Sequence, residues 1–195
     1  TMATAGPRFF GFVIGGTLPA ALAANWLATA WDQNAAMDSV TPGVARVEAI
    51  ALGWLIDVLG LPGTCEGAFV TGATMANFTA LAAARHAVLE RAGWNVEDDG
   101  LNGAPPVTVI AGAEAHPTLF KALALLGFGR RQVARLPVDG QGRVRADSLP
   151  RLSGPTIVCL QAGNINTGAF DPFEPICGAA NAAGAWVHVD GAFGL

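Results

Sequence analysis

An acidic residue at the end of an apolar strand points most directly to chemistry in this sequence. Residues 186–190 read Trp-Val-His-Val-Asp and are followed by Gly-Ala-Phe-Gly. Side chains alternate faces along a strand, so His188 and Asp190 are predicted to share one face. In open parallel sheets, ligands bind beyond the carboxyl ends of the strands, where Asp190 is expected. An acid that caps the strand or the next helix is the alternative interpretation.

A turn of small residues is the second candidate site. Residues 70–77 read Val-Thr-Gly-Ala-Thr-Met-Ala-Asn and connect a predicted strand to a predicted helix, with Thr74 as a good N-cap. Free amide groups in the first helical turn, aided by the helix dipole, suit a phosphate, and an ordinary capped helix is the alternative. The turn has neither the Gly-Lys-Ser/Thr ending of a Walker loop nor the three spaced glycines of a dinucleotide fingerprint, which excludes those nucleotide sites.

Polar residues follow two further predicted strands. His116 stands directly before a proline at the start of a predicted helix, which is expected to point its ring into the crevice shared by Thr74 and Asp190. An incidental loop histidine is the alternative. Residues 161–171, Gln-Ala-Gly-Asn-Ile-Asn-Thr-Gly-Ala-Phe-Asp, add amides and a hydroxyl at the same end of the sheet. Asp171, also followed by a proline, is interpreted as a helix cap.

Strands and helices alternate around these candidate residues. Strands are predicted at 68–71, 107–111, 132–137, 156–161 and 185–190, and helices at 18–34, 44–59, 74–92, 117–128, 146–152 and 172–183. This alternation predicts an α/β fold with a mostly parallel sheet and helices on both faces. Residues 93–106, rich in Gly, Asn, Asp and Pro, are predicted to form an exposed loop within one domain.

Composition excludes several classes of protein. The net charge of −4 comes without a basic stripe, which argues against a nucleic-acid partner. Three cysteines without CxxC spacing indicate neither a disulfide framework nor a zinc site, and they fit a reducing cytoplasm. No signal peptide is expected. With 52% hydrophobic and only 13% charged residues, much of the surface is expected to be covered by close packing, an oligomer interface or partner segments.

One charge-free segment could instead indicate a membrane protein. Residues 9–31 contain no charged side chain and are long enough to cross a bilayer. Several glycines, Pro19 and Asn25 interrupt this segment, and the rest of the chain alternates like a cytosolic α/β domain. A buried or interface helix, and no membrane partner, is therefore expected.

Taken together, the motifs resemble those of fold-type I pyridoxal-phosphate enzymes, and more narrowly the group II amino-acid decarboxylases. The matching motifs are Gly-Ala-Thr-Met-Ala-Asn at 72–77, Ala-His at 115–116, Asn-Thr-Gly-Ala-Phe-Asp at 166–171 and His-Val-Asp-Gly-Ala-Phe-Gly at 188–194. The resemblance implies the large domain of that fold and pyridoxal 5'-phosphate as cofactor. It implies that Ala73 and Thr74 bind the phosphate. His116 would stack on the ring, Asp190 would pair with the pyridine nitrogen, and Ala192 would pack against the ring's other face.

The sequence departs from the family pattern at two functional positions. Asn164 stands where the family usually has a threonine that contacts the cofactor, and it is retained as a cofactor-binding candidate. Lys121 is the only lysine, and it lies where the family has surface or helix-packing residues. The family's Schiff-base lysine follows the His-Val-Asp strand by a few dozen residues. The resemblance therefore implies a fragment, with residues 1–62 a helical segment of the active site or dimer interface and residues 63–195 a partial cofactor-binding domain.

The activity implied by the resemblance is pyridoxal-phosphate-dependent decarboxylation of an L-amino acid by an intact, cytoplasmic homodimer. His116 and Asp190 are the catalytic candidates, and the isolated chain is expected to be inactive. Another fold-type I reaction, such as transamination, aldol cleavage or desulfuration, remains open because a fold does not determine a reaction. The alternative from another class is a non-catalytic module that binds a cofactor or mediates an interaction, and that uses its apolar N-terminal helix to join a partner.

Overall fold

Two compact units make up the chain. The computed structural model describes residues 3–195, and the units meet in sequence between Phe69 and Val70. The first unit is helical, whereas the second contains all the strands of the described residues. The candidate site residues named above all belong to the second unit.

The first unit contains two α-helices that bury none of their residues. Helix α1 spans Pro19–Ala30 and α2 spans Pro42–Val58, after a short 3-10 helix at Gly11–Val13. Each α-helix begins at a proline, whose fixed φ suits the first helical position. Both predicted helices are confirmed; α1 has no buried residue within this chain, and the expectation of a buried or interface helix stays a prediction. No helix within residues 3–195 has the length and hydropathy needed to cross a bilayer.

The second unit is a four-stranded parallel sheet with helices between its strands. Its elements are α3 (Ala73–Glu90), α4 (Val96–Asp99), β1 (Thr108–Gly112), α5 (Pro117–Leu125), β2 (Ala134–Leu136), β3 (Thr156–Gln161), α6 (Phe173–Ala182) and β4 (Trp186–Asp190). The strand order is β2-β1-β3-β4, and every neighbouring pair is parallel. The predicted α/β fold is confirmed.

Hydrophobic cores cover both faces of the sheet. On one face, Ala111 of β1 belongs to a buried cluster with Leu81 of α3 and Leu123 of α5. On the other face, Ile110 of β1 packs in a cluster with Ile176 of α6. Neighbouring residues of one strand thus reach opposite cores, as strand alternation requires. Helices on both faces are therefore confirmed.

Three predicted elements are wrong or incomplete. Residues 68–71 form no strand, because no ladder within the described chain pairs with their backbone. The helix predicted at 146–152 is only a 3-10 turn, Ala146–Ser148, because Leu149 precedes a proline and adopts an extended conformation. The predicted loop at 93–106 contains α4, and Val96 and Trp94 pack into the core.

The strand register sets the edge on which the candidate site lies. Cys159 of β3 lies opposite His188, and Gln161 lies opposite Asp190, so β3 and β4 end at the same level. Ala111 of β1 also lies opposite Cys159, which brings the end of β1 to this edge. The carboxyl ends of three strands therefore meet where the sequence predicted a ligand site.

Candidate active site

The Asp190 carboxylate is held by two hydrogen-bond donors. Its Oδ1 accepts a bond from the backbone N–H of Ala192 at 3.1 Å. Its Oδ2 accepts a bond from the side-chain Nδ2 of Asn77 at 3.0 Å. The turn after β4 and helix α3 thus orient the acid from two sides, and the acid itself is half-buried at the sheet edge.

His188 lies on the same face of β4 and contacts the same asparagine. Its Nε2 is 2.7 Å from Oδ1 of Asn77, and the imidazole is buried, with only 6% exposed. Burial lowers the pKa of His188, while the nearby Asp190 carboxylate acts in the opposite direction. Burial therefore favours the neutral form of His188, and because the Asn77 oxygen can only accept, the ring Nε2 carries the N–H that donates to it. The prediction that His188 and Asp190 share a face is confirmed.

Asn77 is the site residue that sequence reasoning missed. It is 3% exposed and begins a buried stripe along α3 that continues through Leu81, Ala84 and Val88. Spacings of three and four residues place these side chains on one helical face. A single polar residue on an otherwise apolar stripe must find partners, and this signal was present in the sequence.

His116 is fixed by hydrogen bonds within its own turn. It is the N-cap of α5, and its Nδ1 accepts a bond from the Thr118 backbone N–H at 3.3 Å. The Thr118 hydroxyl is 2.8 Å from the same nitrogen and therefore donates to it as well. Since Nδ1 is an acceptor, the proton of the neutral ring is on Nε2. Asn77 Nδ2 lies 3.4 Å from the Thr118 hydroxyl oxygen and links His116 to Asp190.

The start of α3 differs from the prediction in its capping residue. Gly72, not Thr74, is the N-cap, and no side chain caps the helix. The prediction of Thr74 as the cap is wrong because α3 already begins at Ala73, with Met75 and Ala76 both donating to the Gly72 carbonyl. Across residues 3–195, no acceptor is found for the backbone N–H groups of Ala73 and Thr74. An anion could bind at this end of α3, because these N–H groups can donate to it and the first turn carries no acidic residue that would repel it.

Asn164 uses both ends of its amide within the chain. Its Nδ2 donates to Glu114 Oε2 at 3.2 Å, and its Oδ1 accepts the Asn166 backbone N–H at 2.9 Å. The side chain is 3% exposed. These bonds connect the end of β3 with the loop after β1, and the predicted cofactor contact of Asn164 stays a prediction.

An open cleft lies between these loops. Its volume is about 340 Å³, and its lining consists of Glu114, His116, Pro117, Gln161, Asn164, Ile165 and Asn166. A narrow pocket beside it is lined by His116 and Asp190 together with Cys159 and others. The structure thus brings His116, Asp190 and Asn164 to one region. Neither the cleft nor the narrow pocket is lined by Ala73, Thr74 or Ala192.

Asp171 connects two segments near the cleft and does not cap a helix. The N-cap of α6 is Pro172, and no side chain caps this helix, so the predicted cap is wrong. The carboxylate instead accepts the backbone N–H groups of Val144 at 2.8 Å and Gln161 at 2.7 Å. Burial raises the pKa of Asp171, and the two backbone donors partly oppose this effect. The side chain turns inward because these two donors would otherwise be unpaired.

Comparison with known proteins assigns the family. Residues 2–194 match the family described as "Pyridoxal-dependent decarboxylase conserved domain". The chain belongs to this family. Aromatic-L-amino-acid decarboxylase from Bacillus atrophaeus is 30% identical over 196 residues, which cover 96% of this chain and 38% of that protein.

Solved structures give the same assignment. Mouse CSAD aligns with a TM-score of 0.86 at 28% identity, over 97% of this chain and 40% of that chain. Oryza sativa TDC with PLP aligns with a TM-score of 0.75 at 28% identity, over 89% of this chain and 40% of that chain. The chain thus spans about 40% of the length of these relatives. The family, the fold and the pyridoxal cofactor expected from the motifs are confirmed.

Proposed function

We propose that the intact protein decarboxylates an L-amino acid with pyridoxal 5'-phosphate. The observation that carries this proposal is the Asp190 carboxylate, held by two donors at a strand end beside His116. In the reaction, the bond between Cα and the carboxylate breaks, CO₂ leaves, and a proton is added at Cα to give the amine. Family membership favours this reaction over transamination, aldol cleavage, desulfuration and a non-catalytic module.

The side chains present fit the cofactor. When bound, pyridoxal phosphate supplies an electron sink for the electron pair left by the departing CO₂. Asp190, held in place by Asn77 and the Ala192 backbone, would accept from the protonated ring nitrogen and stabilise its positive charge. Ala73 and Thr74 offer unpaired backbone N–H groups, and Thr74 a hydroxyl, to the phosphate at the positive end of the α3 dipole.

His116 and two neighbours complete the proposed site. His116 would stack on the cofactor ring, and its Nε2–H is a donor that can help to deliver a proton. Ala192 follows Asp190 closely and would pack on the other side of the cofactor ring. Asn164 is proposed as a cofactor-binding residue in the cleft wall, with its amide oriented by Glu114 and the Asn166 backbone.

We also propose that residues 1–62 contribute to the active site or to a homodimer interface, while residues 63–195 form part of the cofactor-binding domain. The support for an interface is the exposed aromatic surface of the first unit. Trp26 is 65% exposed and Trp54 is 70% exposed, each on a helix without buried residues. Large exposed apolar patches mark interaction surfaces.

A cytoplasmic location is supported by the three free cysteines.

The function is tested by measuring CO₂ and keto-acid release from a panel of L-amino acids by the intact protein. Asp190→Ala should lower kcat by about 100-fold or more, because a preorganised electrostatic partner is lost. Phosphate anchoring should change less, since the start of α3 is untouched. Asp147→Ala is the matched control, because Asp147 is exposed and forms a surface ion pair with Arg145. Normal turnover by the Asp190→Ala variant, or keto-acid release in place of CO₂, would contradict the proposal.

A further inference from the structure

Asn77 connects three side chains of the site but has no role in the function proposed above. Its Nδ2 donates to Asp190 Oδ2 at 3.0 Å and lies 3.4 Å from the Thr118 hydroxyl oxygen. Its Oδ1 accepts the Nε2–H of His188 at 2.7 Å. One amide that is 3% exposed therefore uses both donor hydrogens and its oxygen inside the site.

The direction of these bonds follows from what each partner can do. The Asp190 carboxylate can only accept, so the amide nitrogen of Asn77 must face it. The amide oxygen then faces His188, which must supply an N–H. If the amide turned over, its oxygen would meet the carboxylate and its N–H groups would meet the His188 N–H. The Asp190 carboxylate therefore selects the amide orientation, and the Nε2–H tautomer of the buried His188 matches it.

The two donors on Asp190 leave acceptor capacity for a ligand. Each carboxylate oxygen can accept about two hydrogen bonds, and Asn77 and the Ala192 N–H use one on each oxygen. The carboxylate is thus fixed about its side-chain torsions while lone pairs remain for a ring N–H. A carboxylate held by only one donor could rotate away from this geometry.

We propose that Asn77 is a positioning residue for the reaction: it holds Asp190 in the orientation that pairs with the pyridine nitrogen of the cofactor. Through Thr118, the same amide continues to His116 Nδ1, so that the acid and the stacking histidine are oriented by one side chain. This inference rests on the proposed role of Asp190, and it concerns the charge at the ring nitrogen rather than the phosphate end.

Two substitutions of equal shape separate polarity from packing. Asn77→Thr keeps one hydroxyl, a bond nearer the backbone than the Asn77 amide, that can donate a hydrogen bond toward Asp190, whereas Asn77→Val replaces that hydroxyl with a methyl group. Both residues are β-branched and have similar helix propensity. A difference between the two variants therefore reports the hydrogen bonds.

The test compares two cofactor probes on the intact apo protein. Dissociation constants are measured for pyridoxal phosphate and for its 1-deaza analogue, in which CH replaces the ring nitrogen. Wild type should bind pyridoxal phosphate at least about 10-fold more tightly than the analogue, a difference of about 1.4 kcal/mol, and Asn77→Thr should keep part of this preference. Asn77→Val should lose most of this preference while it keeps the wild-type affinity for the analogue. A purely structural role would weaken both probes equally.

A third variant distinguishes failure of this inference from failure of the proposed function. If wild type shows no preference, or Asp190→Ala retains it, the proposed pairing of Asp190 with the ring nitrogen is wrong. If Asp190→Ala loses the preference and Asn77→Val retains it, the role of Asn77 is wrong. If Asn77→Val does not bind the analogue at all, Asn77→Ala takes its place in the test, because alanine is smaller and has high helix propensity. The ratio of its dissociation constants for the two probes then decides the role of Asn77.

Discussion

Removal of the Asp171 carboxylate should destabilise the second unit by several kcal/mol. Asp171 is 7% exposed and accepts two backbone N–H groups, one from Val144 and one from Gln161. A buried donor left without a partner costs about 1–3 kcal/mol, so two such donors cost about 2–6 kcal/mol. The cost of burying the carboxylate, visible in its raised pKa, is recovered in the variant and offsets part of this loss. Asp171→Ala should therefore lower the free energy of unfolding by about 2–4 kcal/mol.

The assay for this prediction has a global and a local part. Chemical denaturation of the intact protein gives the change in unfolding free energy, and hydrogen exchange of peptides containing Val144 and Gln161 should become faster in Asp171→Ala. Asp147→Ala serves as the control, because Asp147 is 67% exposed and bonds only to Arg145. Surface ion pairs of this kind contribute little. Equal unfolding midpoints for the two variants, with unchanged exchange at both amides, would refute the assignment of Asp171 as a buried acceptor.

Three further predictions concern stability and reactivity. The pKa of His188 is lowered by folding, so the unfolded chain binds more protons and the free energy of unfolding should fall as the pH drops below about 6.5. When this free energy is measured by urea unfolding at several pH values, it should depend less steeply on pH in His188→Gln than in the wild type. An unchanged pH dependence would contradict this prediction. Leu123→Ala in the core should cost about 2–5 kcal/mol, whereas Leu125→Ala on the same helix, at 71% exposure, should stay within about 0.5 kcal/mol in thermal or urea unfolding. Burial raises the pKa of Cys159 to about 12, so iodoacetamide at pH 8 should label the half-buried Cys65 before Cys159. Mass spectrometry gives the order of labelling, and the reverse order would count against the buried position of Cys159.

Local patterns were sufficient to predict much of the fold. Strand β3 and the position of Asp190 at the end of β4 follow from short apolar segments and period-two alternation, which depend on neighbouring residues only. The parallel sheet follows from the alternation of these strands with helices. The helix that begins near Thr74 was also predictable, although the capping residue was not, because the Gly72 carbonyl accepts the first helical bonds.

Long-range contacts were not predictable from local patterns. Residues 68–71 have a strand-like composition, but a strand exists only where another backbone pairs with it. Asp171 precedes a proline and so matches a cap, yet its donors come from segments 27 and 10 residues away. Asn77 meets His188 across 111 residues of sequence, a pairing that no spacing rule contains.

The hydrogen bond between Asn77 and Asp190 has a consequence for folding during synthesis. The two residues are 113 positions apart, and ribosomes add about 5–20 residues per second, so α3 waits roughly 6–23 s for β4. In that interval the Asn77 amide has none of its final partners on β4, and the face of α3 that will pack on the sheet carries an uncompensated polar group. Docking of β4 satisfies that amide and orients the acid in the same step. The part of the site built on Asn77 and Asp190 therefore gains its geometry only when the loop between these two residues has closed.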